Sequence, residues 1–484
     1  MKFMSTRGGE TNVSSSRAII NGIAKDGGLY VPETIPKIFE NIKSNSKLSY
    51  ENLAFKIIRE FFTDFSEVEL KGAINEAYKN KFTVKEENGF LELYHGPTSA
   101  FKDAALLFLP QIMKIAKKKC KLQEDIVILT ATSGDTGKAA LEGFSDIDGF
   151  KVVVYYPKNG VSLIQERQMS TQKGKNVKVI GIRGNFDNAQ SGVKEIFSDI
   201  LFREKLKKKG YILSSANSIN IGRLVPQIVY YFYGYFDLVN KQKIKMGEEI
   251  NVVVPTGNFG NILASYYAKE MGLPIAKFIC ASNENKVLTD FFNDGIYDKR
   301  RDLILTESPS MDILISSNLE RLLYEAYNRN GNEINKLMNS LKDDGVYKIN
   351  SEYKEFMKNF YADYADIKEV YKAIKKLYEE ENYLMDTHTA VAYVALNKYI
   401  NKTKDKKQYL IASTASPYKF PRSICNALGL NVENKDDFKV LEALNEFSKV
   451  PIPNNLKNLE KQEILHYEVW NKEEMKDALS AFLR

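Results

Sequence analysis

From about residue 90 onward the chain alternates short apolar runs, glycine-marked turns and longer amphipathic stretches. The runs GFLELY (89–94), DIVILTA (125–131), KVVVYY (151–156) and VKVIGI (177–182) each predict a strand. YILSSA (211–216), INVVVPT (250–256), IAKFICAS (275–282) and QYLIAST (408–414) continue the series. The runs are rich in Val and Ile and do not alternate cleanly, as expected of strands covered on both faces. Strand, loop and helix repeated this often predict an α/β fold on parallel sheets. The first 80 or so residues differ, reading as loops followed by helices over 52–61 and 68–79. Residues 317–384 predict charged, tyrosine-rich helices forming a solvated layer, and the final 60 or so predict mixed helix and loop. The most membrane-like stretch, 224–239, is short and carries Pro226, Gln227 and Asp237, which predicts a buried amphipathic helix rather than a span. Within it VYYFYGYF (229–236) reads as core before it reads as an interface.

A chain of 484 residues gives a prior of roughly three domains. With 44% hydrophobic and 27% charged residues it excludes collagen-like, disordered and disulfide-stapled classes. A net charge of +7, from 69 basic and 62 acidic residues, demands no nucleic acid; it is compatible with an anionic substrate, but on charge alone a solvated lysine-rich surface is the preferred reading. Cys120, Cys280 and Cys425 lie far apart, which fits a reducing compartment. His95, His388 and His466 show no ligand spacing, so no metal site is expected. The opening MKFMSTRGGETN has no apolar leader. A soluble cytoplasmic protein without membrane attachment is the expectation.

Three loops follow strand ends, where ligands of open parallel sheets bind. TGNFGN (256–261) enters a helix, and its two glycines let a backbone of free N–H groups approach an anion such as phosphate. It is neither a Walker loop nor a dinucleotide fingerprint, and alone a strand-to-helix turn explains it equally well. ATSGDTG (131–137) offers Ser133, Thr136 and the amides around Gly134 to a carboxylate, although capping of the next helix by Asp135 or Thr136 accounts for the same residues. In HGPTSAFKDAALLFL (95–109), Lys102 opens a helix that is apolar all round. Burial there lowers a lysine's pKa and makes it a nucleophile, whereas an isolated lysine of this kind snorkels to the surface. Together an enclosed amine, a phosphate cradle and a carboxylate cradle match the needs of pyridoxal phosphate acting on an amino acid.

The motifs in order resemble the threonine synthase family, pyridoxal-phosphate enzymes of fold type II, along nearly the whole chain. The resemblance rests on MKFMSTRGG, DGGLYVPE (26–33), HGPTSAFKD, ATSGDTGKAA and NGVSLIQERQM (159–169). PTGNFGN, DTHTAVAYVAL (386–396) and STASPYKF (413–420) complete it. It implies two doubly wound parallel-sheet domains, a small N-terminal domain and helical additions. Residues 1–85 would form the N-terminal domain, 86–430 the catalytic region with a helical insertion at about 317–384, and 431–484 a C-terminal extension.

It also implies that Lys102 carries the cofactor and that Gly257, Asn258, Phe259, Gly260 and Asn261 hold its phosphate. Thr414 would meet the pyridine nitrogen. A neutral hydroxyl there leaves the ring a milder electron sink, suited to elimination and replacement. Ser133, Gly134, Asp135 and Thr136 would bind the substrate carboxylate. The implied reaction takes O-phospho-L-homoserine and water to L-threonine and phosphate, the last step of threonine biosynthesis. Such a substrate needs cations, for which Lys419 and Arg223 are the candidates. A phospho-lyase, a dehydratase or deaminase, and a silent binding homologue are the rivals. Monomer and homodimer stay equally open. The chain departs from the family pattern at Ser99, Ile221, Thr387 and Ser416, of which Ser416 bears on substrate choice.

Overall fold

The strand Ile250–Pro255 is buried along its whole length, and Phe150–Pro157 is buried except at Lys151. Strands enclosed on both faces have no reason to alternate apolar with polar residues, which accounts for the unbroken runs. In the computed structural model, which describes residues 1–350 and 353–483, these runs assemble into two parallel sheets. The larger has the order Phe360–Tyr364, Ile275–Ser282, Ile250–Pro255, Tyr409–Ser413, Phe90–His95 and Thr83–Glu87. Its neighbours all run parallel except the terminal hairpin of Thr83–Glu87 with Phe90–His95. The smaller has the order Val469–Trp470, Val177–Ile182, Phe150–Pro157, Asp125–Ala131 and Tyr211–Ser214, all parallel. Three expected strands, Asp125–Ala131, Val177–Ile182 and Ile275–Ser282, match their apolar runs residue for residue.

The amino-terminal helices Tyr50–Phe61 and Glu67–Tyr78 start at serine caps, Ser49 and Ser66, the second completed by Glu69. Their apolar faces join a core continuous with the helices Phe108–Lys119 and Ile221–Asn240. Ile221–Asn240 is buried on nearly all sides rather than along one face. Helices from the amino-terminal region and Gly260–Glu270 surround it, so VYYFYGYF is core. Among the described residues no helix is long and apolar enough to cross a membrane.

Two segments correct the reading by periodicity. Residues 317–384 are not only a solvated helical layer. Phe360–Tyr364 forms the edge strand beside Ile275–Ser282, and Leu319–Ala326 is a buried helix in which Arg321 is wholly enclosed. A five-residue strand inside a charged stretch leaves too short an alternation to stand out. Near the carboxyl terminus Val469–Trp470 adds an edge strand to the smaller sheet, beside Val177–Ile182.

Candidate active site

The carboxyl ends of both sheets face one cleft of about 580 Å³. It is lined from residue 131 after Asp125–Ala131, from 217 after Tyr211–Ser214, from 255 after Ile250–Pro255, and by Thr414 after Tyr409–Ser413. Lys102 lines it too, just ahead of the fully buried helix Asp103–Leu106, and is itself only 9% exposed. Its Nζ lies 3.2 Å from Ser310 Oγ and 3.5 Å from Asp135 Oδ2. Burial pulls the Lys102 pKa down, and the nearby Asp135 carboxylate offsets only part of that.

The mounting of Lys102 is rigid. Ser99 takes a left-handed backbone, φ 57°, and Ala100 pairs antiparallel with Ala415. Phe101 N donates to Thr414 O at 2.8 Å and Ser416 N to Ser99 O at 3.1 Å. Lys102 and Thr414 therefore sit on two segments laced to each other. Behind them the Asp103 carboxylate accepts from Thr98 N and Thr98 Oγ1, at 2.9 and 2.6 Å. Enclosure pushes the Asp103 carboxyl up to about 7, against the pull of those two bonds.

Asp135 opens the helix Asp135–Phe144, but neither it nor Thr136 caps that helix. Thr132 Oγ1 accepts from Gly134 N and Gly137 N at 3.0 and 2.9 Å, so the loop is fastened one step earlier than its sequence suggested. Gly134 has φ 133°, and a Cβ there would strike Gln165 Nε2 at 2.3 Å. That amide donates to Asp135 Oδ1. Burial alone would raise the Asp135 carboxyl, yet Lys419 and Lys102 beside it hold it far below the carboxylate range. Ser133, Asp135 and Thr136 line the cleft, while Gly134 shapes the turn behind them.

Gly257, Asn258, Phe259, Gly260 and Asn261 line the opposite wall. Phe259 adopts φ 62° immediately before the helix Gly260–Glu270, a left-handed step unusual for a bulky residue, with its ring enclosed against Phe292. The loop's carbonyls are already taken. Ser316 Oγ donates to Gly257 O at 2.6 Å, and Asn318 donates to Asn258 O through both N and Nδ2. The first amides of a helix have no partner within it and favour an anion, and this helix begins at the cleft wall. Asn261 Nδ2 is buried without a partner among the described residues, while its Oδ1 accepts from Tyr230 and Tyr231. The space a Cβ on Gly260 would fill is open, its nearest neighbour 3.5 Å away. An unsatisfied buried donor beside an open approach to a helix start fits a phosphate group.

Arg223 lines the same cleft at 4% exposure. Its Nη1 donates to Ala216 O at 2.7 Å, and its Nε has no partner among the described residues. Burial draws its pKa down to about 10, which still leaves it charged at neutral pH. Lys419 departs from expectation. It is fully enclosed, does not line the cleft, and spends its ammonium on Asp135 Oδ1 at 2.6 Å and Thr98 O at 3.0 Å. Ser416 likewise turns away, accepting from Tyr418 N to cap the turn that carries Lys419. Ile221 is enclosed, Thr387 Oγ1 donates to Glu307 O at 2.6 Å, and Ser99 Oγ donates to Asn455 Oδ1.

Sequence reasoning missed Ser310 and gave His388 no role. The segment 309–315 lines the cleft and brings Ser310 Oγ between Lys102 and Asp135. Ser310 N donates to His388 Nε2 at 3.2 Å, so the ring proton lies on Nδ1, which donates to Asp386 Oδ1 at 3.0 Å. The dipeptide Pro309–Ser310 signals a turn and nothing more. Only the Asp386/His388 spacing at a helix start hinted at this cluster.

Three family profiles match the chain: "Threonine synthase N terminus" over 2–78, "Pyridoxal-phosphate dependent enzyme" over 91–414, and "Threonine synthase, C-terminal" over 389–478. Threonine synthase of Saccharomyces cerevisiae is 38% identical over 464 residues, covering 88% of this chain and 89% of its own. Threonine synthase-like 1 of Homo sapiens is 40% identical over 478 residues, or 94% of this chain, which spans 63% of that longer protein. A crystal structure of PLP-bound threonine synthase from Brucella melitensis superposes with a TM-score of 0.88 at 32% identity, covering 100% of both chains. The yeast threonine synthase structure gives 0.88 at 35% identity, covering 100% of this chain and 98% of its own.

Proposed function

The chain belongs to the threonine synthase family of pyridoxal-phosphate enzymes, and from that premise we propose that it converts O-phospho-L-homoserine and water to L-threonine and phosphate. One observation carries the assignment of roles. A buried lysine of depressed pKa stands at the carboxyl ends of two parallel sheets, opposite a glycine cradle with an unsatisfied donor.

Pyridoxal phosphate, when bound, supplies the electron sink that stabilises negative charge next to the substrate's reacting carbons. The residues of this chain do the rest. Lys102 would hold the cofactor, and its free amine would carry protons between Cα, Cβ and Cγ of the substrate. The amides of 257–261 and the Asn261 side chain hold the cofactor phosphate. Thr414, at the end of a central strand, offers a neutral hydroxyl to the ring. Ser133 and Thr136 orient the substrate carboxylate. Arg223, buried in the cleft wall with its Nε unpartnered among the described residues, binds the substrate phosphate, where a charge-assisted bond is worth more than in open water. Ser310 keeps the Lys102 amine directed into the cleft.

The deciding experiment incubates the protein with O-phosphohomoserine and quantifies threonine, phosphate and 2-oxobutyrate together. Threonine and phosphate in equal amounts support the reading. Phosphate with 2-oxobutyrate and no threonine would make the protein a phospho-lyase.

A further inference from the structure

Two lysines compete for one carboxylate at the heart of the site. Lys419 Nζ lies 2.6 Å from Asp135 Oδ1, and Lys102 Nζ lies 3.5 Å from Asp135 Oδ2. All three side chains are buried, Lys419 entirely. The remaining capacity of Asp135 goes to Gln165 Nε2 at 3.1 Å and Ser310 Oγ at 3.3 Å. One carboxylate cannot neutralise two ammonium groups. In an enclosed site the excess positive charge is relieved by loss of a proton from the amine with the weaker hold. That amine is Lys102. Its ion pair is longer, and its other close partner is the neutral Ser310 hydroxyl. Lys419 has the shorter pair and a carbonyl as well.

We propose that Lys419 is a positioning residue for the reaction: by serving as the standing counter-ion of Asp135 it leaves Lys102 a neutral amine. The proposal rests on the reading of Lys102 as the cofactor lysine. Only a neutral amine has the lone pair that adds to an aldehyde carbon with loss of water, or that accepts a substrate proton. The other charged groups around the pair are few. Asp103, the residue after Lys102, opens the short helix Asp103–Leu106, Arg223 acts on Lys102 from the helix Ile221–Asn240, His388 acts on Asp135, and Asp312 lines the same cleft. Burial, then the fields of Lys419 and Arg223, act to lower the Lys102 pKa, with Asp135 alone opposing.

The test is competitive labelling of the cofactor-free full-length protein with trace acetic anhydride across pH, the Lys102 peptide being read by mass spectrometry. Cofactor uptake is followed in parallel by absorbance after adding pyridoxal phosphate. In Lys419→Met, Asp135 has only Lys102 left, so the Lys102 midpoint rises by about one unit or more and labelling below it slows about tenfold. In Asp135→Asn/Lys419→Met both charges are gone, and the midpoint returns to the wild-type value or below. Circular dichroism and thermal unfolding establish that each variant is folded. Should Lys419→Met fail to fold, Asp135→Asn and the double variant decide: the midpoint is lower in Asp135→Asn, where Lys419 still repels. An unchanged midpoint in folded Lys419→Met, or equal midpoints in the last two proteins, overturns the proposal. Borohydride fixation of the cofactor to another lysine in wild type would instead overturn the reading of Lys102, which the Lys419 comparison does not touch.

Discussion

Gly260→Ala adds one methyl group at the first residue of the helix Gly260–Glu270. The new Cβ would lie 3.5 Å from Asn318 Nδ2, 3.8 Å from Gln227 Nε2 and 3.9 Å from Ser218 Cβ, all ordinary contacts. Gly260 is also absent from the residues with positive φ, so alanine fits its backbone. The cofactor-free protein should therefore be as stable as wild type, or more stable by up to about 1 kcal/mol through reduced entropy of the unfolded chain. Gly257→Ala is different. Its Cβ would meet Ser310 O at 2.6 Å, a backbone atom that must move, and overpacking of this kind costs about 1–3 kcal/mol. Both changes should weaken the cofactor's grip, because a phosphate approaching the helix amides meets the added methyl at Gly260 and a displaced 308–311 segment at Gly257. Loss of one charge-assisted bond, about 1.5–3 kcal/mol, raises Kd roughly tenfold to a hundredfold. Urea unfolding of cofactor-free protein and absorbance titration with pyridoxal phosphate measure the two quantities separately. Wild-type Kd in Gly260→Ala would place the phosphate elsewhere. Destabilisation of Gly260→Ala equal to that of Gly257→Ala would refute the steric argument.

Borohydride treatment of the yellow holoenzyme should fix the cofactor to the peptide containing Lys102, and Lys102→Ala should lose turnover altogether; mass spectrometry and the product assay read these. Arg223→Ala should raise KM for O-phosphohomoserine, with kcat/KM down by about tenfold to a hundredfold, and should change activity toward unphosphorylated serine far less. Equal losses for both substrates would make Arg223 a structural residue. Asp103 gives a pH signature. Its carboxyl sits near 7 in the folded protein, above the unfolded value of about 3.9, so the folded state binds the extra proton. Its contribution to stability is full below the unfolded value and is lost as pH rises toward and through 7. Asp103→Asn should flatten that part of the stability profile measured by urea unfolding between pH 4 and 8, and an unaltered profile would show that Asp103 titrates normally.

Strands with strong apolar runs were legible because enclosure on both faces leaves little freedom of composition. Phe360–Tyr364 was not, since five residues of mixed polarity at a sheet edge look like the charged helices around them. The glycine loop and the 131–137 loop announced themselves through local turn chemistry. Lys102 stood out from its apolar helix. Ser310 carried no such sign, and His388 only its spacing from Asp386, because what gives them a place is the packing of 309–315 against the start of the helix Thr387–Thr403. Lys419 shows the opposite failure. Its position after the last strand suggested a cation facing substrate, but no pattern in the sequence says which way a lysine in a turn points. The partner that decides it, Asp135, belongs to the other sheet.

The order of strands in the larger sheet has a consequence for biosynthesis. Tyr409–Ser413 lies inside that sheet, between Ile250–Pro255 and Phe90–His95. On the ribosome it is the last of the six to emerge. Until then the nascent chain holds two incomplete half-sheets, each with an open edge and no strand to pair them. Open edges of this kind recruit other chains, so the interval before residue 413 emerges is when the protein most needs a chaperone. The arrival of that strand closes both edges, and with it come Thr414 and Lys419. Completion of the larger sheet and completion of the cleft wall at Thr414 are thus one event, and a chain cut short before it yields neither.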